Sequence, residues 1–132
     1  MRKQGLDVSE KRVRDMMLTE MEQFSLVTPF GKPLVISEFG AGAKQGMRGG
    51  DLDIWTEDYQ ARVYRQQLKM LENSPALRGL SPWVLKDFRA PYRLNTVIQD
   101  YWNRKGLVSE TGEPKLAFKV LSDHYLNIKN GE

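Results

Sequence analysis

Lys32-Pro-Leu-Val-Ile-Ser-Glu-Phe-Gly-Ala41 is the stretch on which the fold turns. Leu34, Val35 and Ile36 form a short unbroken apolar run, rich in β-branched side chains and bracketed by Pro33 and Gly40. Such a run predicts a strand buried on both faces, as in a parallel sheet. It ends on a carboxylate, Glu38. An ionised acid at the mouth of an apolar strand costs free energy unless something there makes use of it.

The flanking sequence supplies helices. Asp7-Val-Ser-Glu10 reads as an N-cap with an acid three residues on, and Val13, Met17, Met21 and Phe24 recur at helical spacing, so a helix is expected from about Val8 to Phe24. Thr28 to Pro33 is a turn-rich connection. After the strand, Ala41 to Ile54 is a long loop holding Gly42, Gly46, Gly49 and Gly50, with Gly40 at its start. Loops of that length in a small domain are functional or mobile. Thr56 is placed to cap the next helix, with Glu57 and Asp58 in its first turn. Tyr59, Val63, Met70 and Leu71 mark its apolar face, and Asn73-Ser-Pro75 stops it.

Leu77 to Leu85 reads as a second strand, made irregular by Gly79 and by Pro82, which has no N–H to donate. Asp87 to Gly112 is another long loop, with a short turn of helix expected over Leu94 to Tyr101. A last helix is predicted with Pro114 at its first position and a stripe of Leu121, Tyr125 and Ile128. The order α-β-α-β-α, with a long loop after each strand, indicates βαβ units and a parallel sheet. In α/β barrels the carboxyl ends of such strands carry the chemistry, and Glu38 stands there.

The 132 residues set one domain, 1–132. Twenty basic and seventeen acidic residues give a net charge of +3, and the sequence pI is about 9.2. The two signs are interspersed, which disfavours nucleic acid as a partner. Arg2-Lys3 and Lys11-Arg12-Val13-Arg14 read as solvated surface. The absence of cysteine removes disulfides and thiolate chemistry, and the single histidine, His124, removes His-cluster metal sites. No window approaches a membrane span, Met1 to Gly5 lacks the apolar segment of a signal peptide behind it, and the compartment stays unknown. No cofactor is implied.

Two readings fit each candidate residue. Glu38 is either a functional carboxylate or a strand-end acid paired with a neighbouring Arg or Lys. Trp83 is either a flat apolar platform for a sugar ring or a core tryptophan. Asp87 is a salt-bridged loop residue beside Lys86 and Arg89, or a second acid. Lys105 is a point charge suited to an anionic group, Asn103 is placed to support it, and Arg104 between them is expected to point elsewhere.

Lys32 to Ala41 resembles the strand-seven segment of glycoside hydrolase family 2, which includes β-galactosidases, β-glucuronidases and β-mannosidases. Thr56-Glu-Asp-Tyr-Gln60 resembles its next helix start, and Gly79 to Arg89 resembles strand eight and the loop beyond. Trp102-Asn-Arg-Lys-Gly-Leu-Val108 and Pro114-Lys-Leu-Ala-Phe118 resemble the closing loop and last helix. The matches keep the family's order from about Gly31 to Tyr125. The resemblance implies a partial (β/α)8 TIM barrel, last strands and helices only. It implies a retaining β-glycoside hydrolase of β-glucuronidase type, with Glu38 as nucleophile, Trp83 lining the sugar subsite, and Asn103 and Lys105 holding a substrate carboxylate. A β-galactosidase-like hydrolase and a non-catalytic sugar-binding module are the alternatives. The family's acid/base glutamate follows an asparagine on strand four. Nothing ahead of Glu38 matches it, because Glu10, Glu20 and Glu22 belong to the first helix. The expected partner is a carbohydrate, and unpaired strand edges imply self-association.

Overall fold

The strand ending toward Glu38 forms, and it pairs in parallel with the second one. The structure, a computed structural model, describes residues 9–131. In chain order these form α1 (Glu10–Met21), a 3-10 turn (Pro29–Gly31), β1 (Leu34–Ile36), α2 (Glu57–Glu72), β2 (Leu77–Leu80), β3 (Phe88–Arg89), β4 (Trp102–Asn103) and α3 (Leu116–Asn130). β1 and β2 make one two-stranded parallel sheet, β3 and β4 an antiparallel one. The chain is therefore mixed α/β with small sheets.

α2 is the central helix. Its N-cap is Thr56, whose hydroxyl accepts from the Tyr59 N–H at 3.1 Å. Its buried face is Tyr64, Leu68 and Leu71, with Gln60, Ala61 and Val63. Tyr64 and Leu68 join Leu107, Ala117 and Leu121 in the core, with Phe39, Leu80 and Val120 packed against it. Burial of such side chains stabilises by about 1.5–3 kcal/mol each. Of the stripe expected from the sequence, Val63 and Leu71 are buried, while Tyr59 and Met70 are half-buried because they lie round the helix from Tyr64 and Leu68.

Several expectations need correction. β1 is not buried on both faces: Val35 is 63% exposed, because among the described residues no element covers that side of the sheet. α1 starts at Glu10, with Ser9 as the capping residue; Asp7 and Val8 lie outside the described residues, as does the Arg2-Lys3 pair. The Val13, Met17 and Phe24 stripe is exposed, and Leu18 is the buried residue of α1. Ion pairs join this region to α2: Asp15 pairs with Arg62 at 2.6 Å, and Glu22, at the end of α1, with Lys69 at 3.1 Å. Lys11 pairs with Asp53, and Arg14 Nε donates to Leu52 O at 3.1 Å, so this basic spot is ordinary surface.

β2 ends at Leu80, ahead of Pro82, rather than running to Leu85. Residues 96–101 are turns, not helix, and they join β3 to β4 in a hairpin the sequence does not announce. α3 begins at Leu116, so Pro114 precedes the helix instead of opening it. Lys115 stays extended because its side chain is held in the interior, as described below, and the Leu116 N–H is capped by Glu57 Oε1 of α2 at 2.9 Å. In the α3 stripe Leu121 is buried while Tyr125 and Ile128 are largely exposed. The glycine-rich loop is pinned: Ala43 N–H donates to Arg104 O and Lys44 N–H to Trp55 O, both at 2.9 Å. Gly42 is required there, since a Cβ would lie 2.8 Å from the Trp55 ring.

Candidate functional site

Strand hydrogen bonding continues past the formal end of β1. The Ser81 N–H donates to Ile36 O at 2.8 Å and the Trp83 N–H to Phe39 O at 2.9 Å. On the other side, the Val84 N–H donates to Lys105 O at 3.1 Å and the Leu107 N–H to Val84 O at 2.9 Å. The Trp83 segment is thus laced between the Glu38 segment and the Lys105 segment. The peptide bond between Trp83 and Val84 is cis. The backbone hydrogen bonds bring Glu38, Trp83 and Lys105 together to line one cleft of about 350 Å³, with Ile36, Phe39, Gly40 and the Gln67–Leu71 side of α2. That volume is in the range that holds small ligands.

Glu38 is exposed, and it takes part in none of the salt bridges among the described residues. Its carboxylate therefore differs from the strand-end acid locked against a guanidinium that a purely structural role calls for. Gly40 shapes the turn below it: its φ is +130°, and a Cβ would meet the Tyr64 hydroxyl at 2.5 Å. Tyr64 is fully buried, and burial holds its phenol well above the usual range. Trp83 is 39% exposed and meets Phe88 edge-on, with ring centroids 6.2 Å apart at 87°. That contact fixes the indole's orientation while leaving part of it open.

Asn103 is buried and does not line the cleft; its Oδ1 accepts from the Lys105 N–H at 3.0 Å. The amide thereby shapes the turn that carries Lys105. Arg104 points away from the cleft, as expected. Its guanidinium pairs with Glu110 at 2.6 Å and Asp87 at 3.5 Å, and lies 5.7 Å from the centroid of Trp102.

Asp87 is not a second acid of this cleft, nor does it pair with Lys86 or Arg89. Its side chain is completely buried, and Lys115 Nζ donates to its two oxygens at 2.9 and 3.0 Å. Lys115 Nζ also donates to Ala43 O at 2.6 Å and Arg104 O at 3.2 Å. Burial pushes the Asp87 carboxyl up and the Lys115 ammonium down, and the contact between them opposes both. Gly106 completes the arrangement: its N–H donates to Asp87 Oδ1 at 2.8 Å, and a Cβ there would lie 2.3 Å from Asp87 N. Nothing in the sequence points to Lys115, 28 positions from Asp87. Among the described residues there is no cluster of three His, Asp or Glu side chains able to hold a metal, and no helix long and apolar enough to cross a membrane.

No family model matches the chain. The β-glucuronidase of Streptococcus agalactiae is 29% identical over 105 residues, 75% of this chain and 17% of that protein. Among solved structures, the glycoside hydrolase family 2 β-galacturonidase from Eisenbergiella tayi bound to galacturonate superposes with a TM-score of 0.67. It is 29% identical and the match covers 89% of this chain and 21% of that one. The Faecalibacterium prausnitzii β-glucuronidase gives a TM-score of 0.65 at 25% identity, over 74% of this chain and 16% of that one.

The chain is similar to a segment of glycoside hydrolase family 2 proteins of the β-glucuronidase type. It spans less than a fifth of the length of the curated relative above, and about a fifth of the Eisenbergiella tayi chain. The superposition on the Eisenbergiella tayi chain covers 89% of this chain, so the likeness is not confined to one loop.

Proposed function

We propose that this chain is the carboxyl-terminal part of a glycosidase TIM barrel, a single domain over 1–132, whose cleft takes the sugar of a β-glucuronide. The observation that carries the reading is the meeting of Glu38, Trp83 and Lys105 in one cleft. A carboxylate attacks an anomeric carbon, an indole covers the apolar face of a pyranose, and an ammonium answers a C6 carboxylate. Asn103 acts by shaping the Lys105 turn. The uronate in the Eisenbergiella tayi complex supports an acidic sugar over a neutral one. Glu38 is the nucleophile of a retaining mechanism. Among the described residues it is the one carboxyl group lining the cleft, which favours a second reading, a sugar-binding module without turnover.

Titrating the chain with methyl β-D-glucuronide and methyl β-D-glucoside, followed by calorimetry, tests this. Lys105→Met is expected to weaken the glucuronide by about tenfold, as loss of a charge-assisted contact does, and to leave the glucoside unchanged. Trp83→Ala is expected to weaken both equally. Equal affinity of the unaltered chain for the two sugars would contradict the uronate assignment.

The exposed sheet has a further consequence. Among the described residues β1 and β2 each pair with a single neighbour, leaving one free edge apiece, and Val35 stands open on the face between them. Free edges template pairing with another chain. Light scattering at micromolar concentration is expected to report masses above the 15.2 kDa of one chain. A clean monomer would count against self-association.

A further inference from the structure

We infer that the buried cluster of Lys115, Asp87 and Arg104, with the partly exposed Glu110 on its rim, positions Lys105, and thereby sets how strongly the cleft prefers an acidic sugar to a neutral one. The inference rests on reading the cleft as a uronate site. None of the four lines the cleft, so they are positioning residues.

The argument starts from the peptide units on either side of Lys105. The carbonyl of Arg104, just before it, accepts from Lys115 Nζ at 3.2 Å. The N–H of Gly106, just after it, donates to Asp87 Oδ1 at 2.8 Å. The ion pair therefore grips Lys105 from both sides without touching its side chain. Lys105 itself contributes its carbonyl to Val84 N–H, next to Trp83. Two more backbone bonds close the frame: Asp87 N–H to Val108 O at 2.9 Å and Lys115 N–H to Leu107 O at 2.8 Å. The Arg104 guanidinium, bridging Asp87 to Glu110, anchors the same turn from its outer side. Lys115 and Asp87 together carry no net charge, so the pair does little to attract an anion through space. Its influence on a uronate runs through where it holds Lys105.

Two variants test this, and Glu110→Gln separates position from field. Lys115→Met removes the grip. Glu110→Gln loosens Arg104 at a side chain 27% exposed, where the fold tolerates the change. Removing the Glu110 charge would by field alone tighten uronate binding; lost positioning weakens it. The readout is the ratio of affinities for methyl β-D-glucuronide over methyl β-D-glucoside, with a thermal melt for each protein. The expected ratio falls about tenfold in Lys115→Met, the scale set by displacing a positioned group by a fraction of an ångström, and about threefold in Glu110→Gln, with glucoside affinity held in both. A folded variant of either kind with an unchanged or raised ratio overturns the positioning role while leaving the uronate reading intact. An unaltered chain with a ratio of one overturns both. If Lys115→Met does not fold, Glu110→Gln decides alone.

Discussion

Replacing Asp87 by alanine is expected to destabilise the chain by about 3–5 kcal/mol, because it leaves the Lys115 ammonium buried without its counter-charge. Both side chains are fully buried, so water does not replace the lost carboxylate. The ammonium keeps two carbonyl acceptors, Ala43 O and Arg104 O, which soften the loss without cancelling it. Against the total stability of a small domain, about 5–15 kcal/mol, this is a large fraction. The Lys115→Met partner change leaves a buried carboxylate and costs a comparable amount. The double variant Asp87→Ala with Lys115→Met is expected to be less damaged than the sum of the singles, since no unpaired charge remains. Urea titrations of the four proteins measure this. Additive losses would show that the pair is not coupled as its geometry requires.

The second large effect concerns turnover. Retaining hydrolysis uses two carboxyl groups about 5 Å apart, one to attack and one to protonate the leaving oxygen. Among the described residues Glu38 lines the cleft without a second acid, and Asp87 is committed to Lys115. General acid catalysis contributes roughly 10²–10⁴, and the walls of a complete pocket add to that. Against ordinary turnover of about 10 s⁻¹, the chain alone is expected to hydrolyse phenyl β-D-glucuronide, whose phenol leaves poorly without a proton, below about 10⁻³ s⁻¹. The deficit should shrink for leaving groups of low pKa, which depart without a proton. Turnover at ordinary enzyme rates, or a rate indifferent to the leaving group, would show that a second acid is present.

The sequence disclosed the parts of this molecule that rest on local rules. Thr56 with Glu57 and Asp58 marked the start of α2 to the residue, and the strand expected over Leu34 to Glu38 forms as β1, which ends two residues earlier at Ile36. The parallel pairing of β1 with β2 followed from their separation by a helix. Other features depend on distant partners and were not legible. Which face of α1 is buried depends on how it packs against α2, whose Arg62 and Lys69 reach Asp15 and Glu22 from some 47 positions away. The β3–β4 hairpin consists of two-residue strands, too short to show alternation. In the sequence Lys115 stands only beside Pro114 at the start of the last helix, and the fold is what places it against Asp87. The cleft lay between these extremes. Glu38 and Trp83 each stood out by residue type and place. That Lys105 joins them depends on the lacing of Val84 to Lys105 and Leu107, a pairing across a loop that periodicity does not report.

The most direct test asks whether Glu38 attacks a uronyl carbon. The chain is incubated with 2-deoxy-2-fluoro-β-D-glucuronosyl fluoride, whose leaving group needs little protonation, and its peptides are then weighed. The account predicts a single added uronyl mass on the peptide carrying Glu38, absent from Glu38→Gln and diminished in Lys105→Met. An adduct on another carboxylate, or none on a chain that binds the glucuronide, would contradict it.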